Sequence, residues 1–151
     1  MMAICSKPEA LAVHIRWMIR RDMPEVLAIE RNRIEFPWCA QRNCIGMVAK
    51  HEDRVVGFMI YELNKTRIHV LNFATAADFI RKGVGTQMVS TLIGKLSAER
   101  RTRIALEVRE TNLPAQLFFR SIGFRAVSVL REYYEDTLED VYRMEYRVMG
   151  W

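Results

Sequence analysis

The chain has 151 residues, half of them hydrophobic, which suits one domain with its own core. No apolar stretch is long enough to span a bilayer, and Lys7, Pro8 and Glu9 interrupt the start where a signal peptide would stay hydrophobic, so a cytoplasmic protein without membrane attachment is expected. The formal net charge of +5 is dispersed among acids except at Arg100-Arg101-Thr102-Arg103, a solvation pattern more than a nucleic-acid-binding face.

Cys5, Cys39 and Cys44 are odd in number and lack paired ligand spacing, and His14, His51 and His69 are scattered. Neither a disulfide framework nor a metal site is expected, and each histidine reads as structural or exposed. Residues 1–12 read as an N-terminal extension and residues 13–151 as the folded domain.

From His14 to Arg20, apolar Ile15, Trp17 and Ile19 alternate with their neighbours, predicting a strand with one buried face. Asp22 can cap a following helix that Pro24 enters early, with Val26, Leu27 and Ile29 inward. Gly46–Lys50 and Val55–Leu63 read as strands joined at 51–54, and Asn64-Lys65-Thr66 turns the chain into a third beginning near Arg67, making an antiparallel meander. An amphipathic helix from about Gly83 to Glu99 carries Val84, Met88, Leu92 and Leu96 on one stripe and leads to a strand at 103–108. That order implies a parallel, right-handed crossover. Asn112-Leu113-Pro114 can start a helix that ends near Gly123, before two last strands. The second of these places Tyr142, Met144, Tyr146 and Val148 on one face and Val141, Arg143, Glu145 and Arg147 on the other. The fold class is α/β (α+β), with a mixed sheet.

The stretch Asn72–Thr86 runs from an extended segment through a basic, glycine-bearing turn into a helix. Gly83 and Gly85 permit close backbone approach to a ligand, and a helix start offers unpaired N–H groups and partial positive charge. Such a loop suits a phosphate or pyrophosphate. A P-loop would need Gly-Lys-Ser/Thr where Gly85-Thr86-Gln87 stands, and a dinucleotide fingerprint would need a glycine at Met88. An ordinary strand-to-helix turn fits two glycines equally well.

Arg81-Lys82-Gly83-Val84-Gly85-Thr86 resembles the pyrophosphate-binding motif of the GNAT acetyltransferases, Gln/Arg-x-x-Gly-x-Gly/Ala, with Ile80 departing at the first position. The element order is that of the GNAT fold: about seven mostly antiparallel strands flanked by helices, with a splayed parallel pair that holds acetyl-CoA. Ile29-Glu30, Phe36-Pro37-Trp38, residues 71–86, Leu106 to Asn112, Ile122-Gly123-Phe124, Tyr133-Tyr134 and Glu139-Asp140 narrow the resemblance to the bacterial ribosomal-protein-alanine N-acetyltransferases of the RimI type. That resemblance implies acetylation of a protein N-terminal α-amine, with a ribosomal protein as acceptor, CoA as product and no nucleic acid or membrane partner. Monomer and homodimer both stay open.

By the same resemblance, backbone amides of Phe73, Ala74 and Thr75 receive the thioester and pantetheine. Glu107 is the proton acceptor, working through water or with a raised pKa, and Asn112 is a helix N-cap, a cofactor contact, or both. Phe36, Pro37, Trp38, Tyr133 and Tyr134 fall at the acceptor groove, where packing of aromatic and apolar residues is the competing reading. Phe119 departs from the pattern: it occupies the cofactor-side position of the tyrosine that protonates the departing thiolate, and a phenyl ring has no proton to give. Departure of the thiolate unaided or with water, which a thiol pKa of about 8.5 allows, is preferred to a proton from Tyr133 or Tyr134, because by the resemblance that pair lies toward the peptide site. The rival readings are an acetyltransferase of a small amine, polyamine or lysine, and a non-catalytic acyl-CoA-binding regulatory module.

Overall fold

The computed structural model describes residues 11–30, 44–131 and 140–150. Strand β1 (His14–Trp17) leads through a 3-10 turn into helix α1 (Met23–Glu30). The meander β2 (Cys44–His51), β3 (Arg54–Leu63) and β4 (Arg67–Thr75) is followed by helix α2 (Val84–Ile93) and strand β5 (Arg103–Arg109). Helix α3 (Leu113–Ile122), β6 (Arg125–Leu130) and β7 (Val141–Arg147) complete a seven-stranded sheet of order β1-β2-β3-β4-β5-β7-β6. Among the described residues only β4 and β5 run parallel; the other neighbours are antiparallel. No helix among the described residues is long and apolar enough to cross a membrane.

Two cores lie on opposite faces of the sheet. The larger packs Val84, Met88, Val89 and Leu92 of α2 and Phe119 of α3 against Met59, Tyr61, Ile68, Ile104, Leu106 and Val108. Each such side chain contributes about 1.5–3 kcal/mol on burial. The smaller sets Val26 of α1 on Val48, Val55, Phe58 and Ile60. Gly57 of β3 lets α2 sit close: a Cβ there would lie 3.0 Å from Met88 Sδ and 3.2 Å from Val84 Cγ1.

Four local expectations are corrected, the last of them at Asp22. The first strand stops at Trp17; Ile15 packs against the larger core, whereas Trp17 at the end of the strand and Ile19 beyond it are exposed. Leu27 is likewise exposed, with Val26 taking the inward position on α1. Helix α2 ends at Ile93, where Gly94 caps it, so Leu96 packs from the following turn and not from the helix.

Asp22 is not the N-cap of α1. It lies in the 3-10 turn, where its carboxylate accepts from Arg16 Nη1 and Nη2 at 2.7 and 2.8 Å and from the Ile19 N–H at 2.8 Å. At 4 % exposure it is nearly removed from water. The Arg16 hydrogen bond, opposed by burial and helped by Ile19, holds its pKa below the usual carboxylate range. A depressed folded pKa means that this stabilisation is present above the unfolded value of about 3.9 and is lost as pH falls through the folded one. Arg16→Ala strands a buried carboxylate, so a loss of about 3 kcal/mol, or about 8 °C in Tm, is expected at pH 7. Thermal melts of both proteins at pH 7 and in acid check this, since the difference should shrink as Asp22 protonates.

Candidate active site

The site is made by a fork in the sheet. β4 and β5 pair only through Arg67↔Arg103, Ile68↔Ile104 and His69↔Ala105. Beyond those pairs β4 continues to Thr75 and β5 to Arg109, so the strands part. A bulge sits at the same point: Tyr61 pairs with Val70 and Ile60 with Asn72, leaving Leu71 as the extra residue in β4. Bulges bend and re-aim a strand. Past it, Phe73, Ala74 and Thr75 pair with Met59, Phe58 and Gly57 on one side, while their other edge has left β5. Plain ladder pairing therefore accounts for only one edge of these residues.

A cleft of about 930 Å³ fills the fork, lined by residues 70–75 of β4, 106–109 of β5, the loop before α2, and α3. The loop delivers amides to it. Gly83, at φ 82°, occupies the N-cap position of α2 in the left-handed region that glycine enters without a Cβ penalty. No side chain among the described residues caps α2, and its backbone ladder begins with Gln87 N–H to Gly83 O, so the N–H groups of Val84, Gly85 and Thr86 lack helical acceptors. The Val84 side chain is buried in the core, which leaves its amide as the part it can offer. Arg81 also has a positive φ of 64°, a conformation that costs a non-glycine residue about 1–3 kcal/mol and that clusters at ligand clamps. Gly85 faces an aromatic wall; a Cβ there would lie 3.2 Å from Phe118 Cζ and 3.3 Å from Phe73 Cζ.

The loop is tied down by the chain's first described residues. Leu11 N–H donates to Lys82 O at 2.8 Å, and Gln87 Nε2 donates to Leu11 O at 2.6 Å and Gly83 O at 3.1 Å. Lys82 itself does not line the cleft; its ammonium sits 5.4 Å from the centre of the Phe79 ring. Arg81 is the basic side chain that the loop presents.

Asn112 is the N-cap of α3, its Oδ1 accepting from Ala115 N–H at 3.3 Å, and the residue also lines the cleft. Phe119 also lines the cleft, in a ring cluster with Phe118 at 5.0 Å, Phe124 at 5.2 Å and Phe73 at 6.0 Å. Its environment is apolar on every one of these sides. Phe36, Pro37, Trp38, Tyr133 and Tyr134 lie outside the described residues.

Glu107 is held by both carboxylate oxygens. Arg143 Nη2 donates to Oε1 at 2.9 Å, and His69 Nε2 lies 2.7 Å from Oε2. Burial pushes the carboxyl pKa up, but the hydrogen bonds and charges of His69 and Arg143 outweigh it, and the net result is a lowered pKa. Of the two routes expected from the sequence, through water or with a raised pKa, these contacts do not produce the raised pKa, and the route through water stays open. Because the ionised carboxylate is acceptor-only, the His69 nitrogen facing it carries the proton. His69 was read from the sequence as structural or exposed; its proximity to Glu107 comes from the parallel pairing of β4 with β5 and has no signal in residue spacing.

Residues 12–124 match the acetyltransferase (GNAT) family. The chain is 28 % identical over 120 residues to the ribosomal protein bS18-alanine N-acetyltransferase of Salmonella typhimurium, covering 75 % of this chain and 81 % of that one. It is 30 % identical over 132 residues to an uncharacterised N-acetyltransferase of Methanocaldococcus jannaschii, covering 81 % and 84 %. Its structure superposes on the crystal structure of the ribosomal-protein-S18-alanine N-acetyltransferase from Escherichia coli with a TM-score of 0.77 at 25 % identity, over 91 % of this chain and 94 % of that one. The forked β4–β5 pair, the uncapped helix after the glycine turn and the extent of these matches agree: the chain belongs to the GNAT family of acetyltransferases.

Proposed function

We propose that the protein transfers the acetyl group of acetyl-CoA to the N-terminal α-amine of a protein, with a ribosomal protein as acceptor, by direct attack in a ternary complex. The observation that carries this reading is the Glu107 carboxylate, held by His69 and Arg143 in the wall of a forked-sheet cleft whose other end is a helix start without a side-chain cap among the described residues. The relatives named for alanine N-acetylation point to the same acceptor class.

The residues present fit the cofactor. The free amides of Val84, Gly85 and Thr86, with Arg81 beside them, suit a pyrophosphate, and the unpaired edge of Phe73–Thr75 suits an amide-bearing pantetheine arm. Amides there also stabilise negative charge developing on the thioester oxygen. The neutral amine nitrogen bonds to the acyl carbon, the carbon–sulfur bond breaks, and the sulfur leaves as thiolate. The proton shed by the nitrogen goes to Glu107. A lowered pKa suits this order of events, because nitrogen already bonded to the acyl carbon gives up its proton more readily than a free ammonium.

Phe119 leaves the thiolate without a tyrosine donor, and its ring faces other rings. The thiol pKa of about 8.5 allows departure unaided or with water. Phe119→Tyr is expected to raise kcat by no more than about tenfold at pH 7, below the usual general-acid contribution, because the leaving group is already good. Steady-state kinetics at saturating acetyl-CoA check it.

The reading is tested by CoA release from acetyl-CoA with peptides beginning Ala, Ser, Gly or Met, alongside spermine and a lysine peptide. Selective turnover of the Ala peptide supports it. Turnover of spermine or the lysine peptide alone would reassign the acceptor, and tight acetyl-CoA binding with no turnover would make the chain a binding module.

A further inference from the structure

His69 sits at the crotch of the fork. It is the last β4 residue paired with β5, through Ala105, and Glu107 stands farther along β5, past the end of the backbone ladder. The 2.7 Å contact between His69 Nε2 and Glu107 Oε2 therefore reaches from the last paired residue of β4 to the part of β5 beyond the ladder. On its far side, His69 Nδ1 lies 4.0 Å from Oε2 of Glu62, its cross-strand partner on β3. The charged groups facing His69 and Glu107 from the neighbouring strands are thus Glu62 from β3 and Arg143 from β7.

A carboxylate turns easily about its last bond, because that torsion is broad. With one donor on each oxygen the plane of the Glu107 carboxylate is set, and each oxygen keeps a lone pair for a further donor. Arg143 alone would hold only Oε1. A proton acceptor works through its placement as much as through its basicity, and a misplacement of about 1 Å can cost on the order of 10²-fold.

We infer that His69 is a positioning residue for acetyl transfer: it donates Nε2–H to Oε2 of Glu107 across the parted strands and so fixes the carboxylate that receives the amine's proton. This rests on the reading of Glu107 given above.

The test is a double-mutant cycle on the full chain, with kcat, the KM values for acetyl-CoA and for an Ala-terminated peptide, and a thermal melt for each variant. His69→Ala is expected to lower kcat about tenfold with both KM values within about twofold. His69→Gln, whose amide N–H can reach the same oxygen, should recover kcat to within about threefold of wild type. In a Glu107→Gln background, His69→Ala should change kcat by less than about twofold, because its effect passes through the carboxylate. An unchanged kcat in His69→Ala, failure of His69→Gln to recover it in a protein that melts normally, or an equal loss in the Glu107→Gln background would overturn the inference. Full activity of Glu107→Gln alone would instead remove the reading on which it rests.

Discussion

Glu107→Gln is expected to lower kcat about 10²–10³-fold while the acetyl-CoA Kd stays within about twofold. The substitution keeps the shape of the side chain but removes the proton acceptor, and its amide group confronts one of two donors, His69 Nε2 or Arg143 Nη2, with another donor. Some loss of stability accompanies it, because a half-buried guanidinium loses its counter-charge; melts below which the kinetics are run separate the two effects. The pH profile carries a second consequence. The Glu107 pKa is depressed, so its contribution to stability is present above the unfolded value of about 4.3 and is lost only as pH falls through the lower folded value. The carboxylate stays ionised across the neutral range. The acid limb of kcat/KM should then follow the acceptor α-amine, near pH 7.7–8.0, because only the neutral amine attacks. A limb near pH 6, unmoved by changing the amine, would contradict this.

Gly83→Val should have the opposite signature, raising the acetyl-CoA Kd roughly 10–100-fold while kcat at saturation stays within about threefold. At φ 82°, a β-branched residue is strained by about 1–3 kcal/mol, and relaxing that strain turns the amides of Val84, Gly85 and Thr86 away from their common direction. Those amides are the part of the loop with no other partner in the helix ladder, so the loss falls on anion binding. Calorimetry with acetyl-CoA measures it, and an unchanged Kd would place the pyrophosphate elsewhere. A variant that binds and does not turn over, beside one that turns over and binds poorly, would assign the two ends of the cleft to chemistry and to anchoring.

What was legible in the sequence was mostly what is local. Asn112, Pro114 and Gly123 mark the limits of α3 because capping, proline at the first turn and a left-handed C′ residue act within a few positions. The glycine turn and α2 follow from the same kind of signal, as does the crossover to a parallel strand. Trp17 and Ile19 show where such signals stop. Alternation predicts a strand but not where it stops: Trp17 is its exposed last residue, and Ile19 lies beyond it in the cap of the 3-10 turn. The stripe ending in Leu96 overran α2, because a helix-period apolar residue can pack equally well from the turn that follows.

The site divides in the same way. Glu107 was singled out by resemblance to a family motif, and alternation alone would have left it a surface carboxylate. Its partners, His69 and Arg143, are 38 and 36 residues away in sequence and meet it through strand register, which no spacing pattern encodes. Its lowered pKa follows from those two contacts, so the sign of the shift was likewise invisible until the strands were paired.

The most direct measurement is to incubate the protein with acetyl-CoA and one peptide carrying both an N-terminal alanine and an internal lysine, and to locate the acetyl group by fragmentation mass spectrometry. The account predicts acetyl on the alanine α-amine, none on the lysine, and at least about a hundredfold less product with Glu107→Gln. Acetyl on the lysine side chain, or equal product from the Glu107→Gln protein, would contradict it.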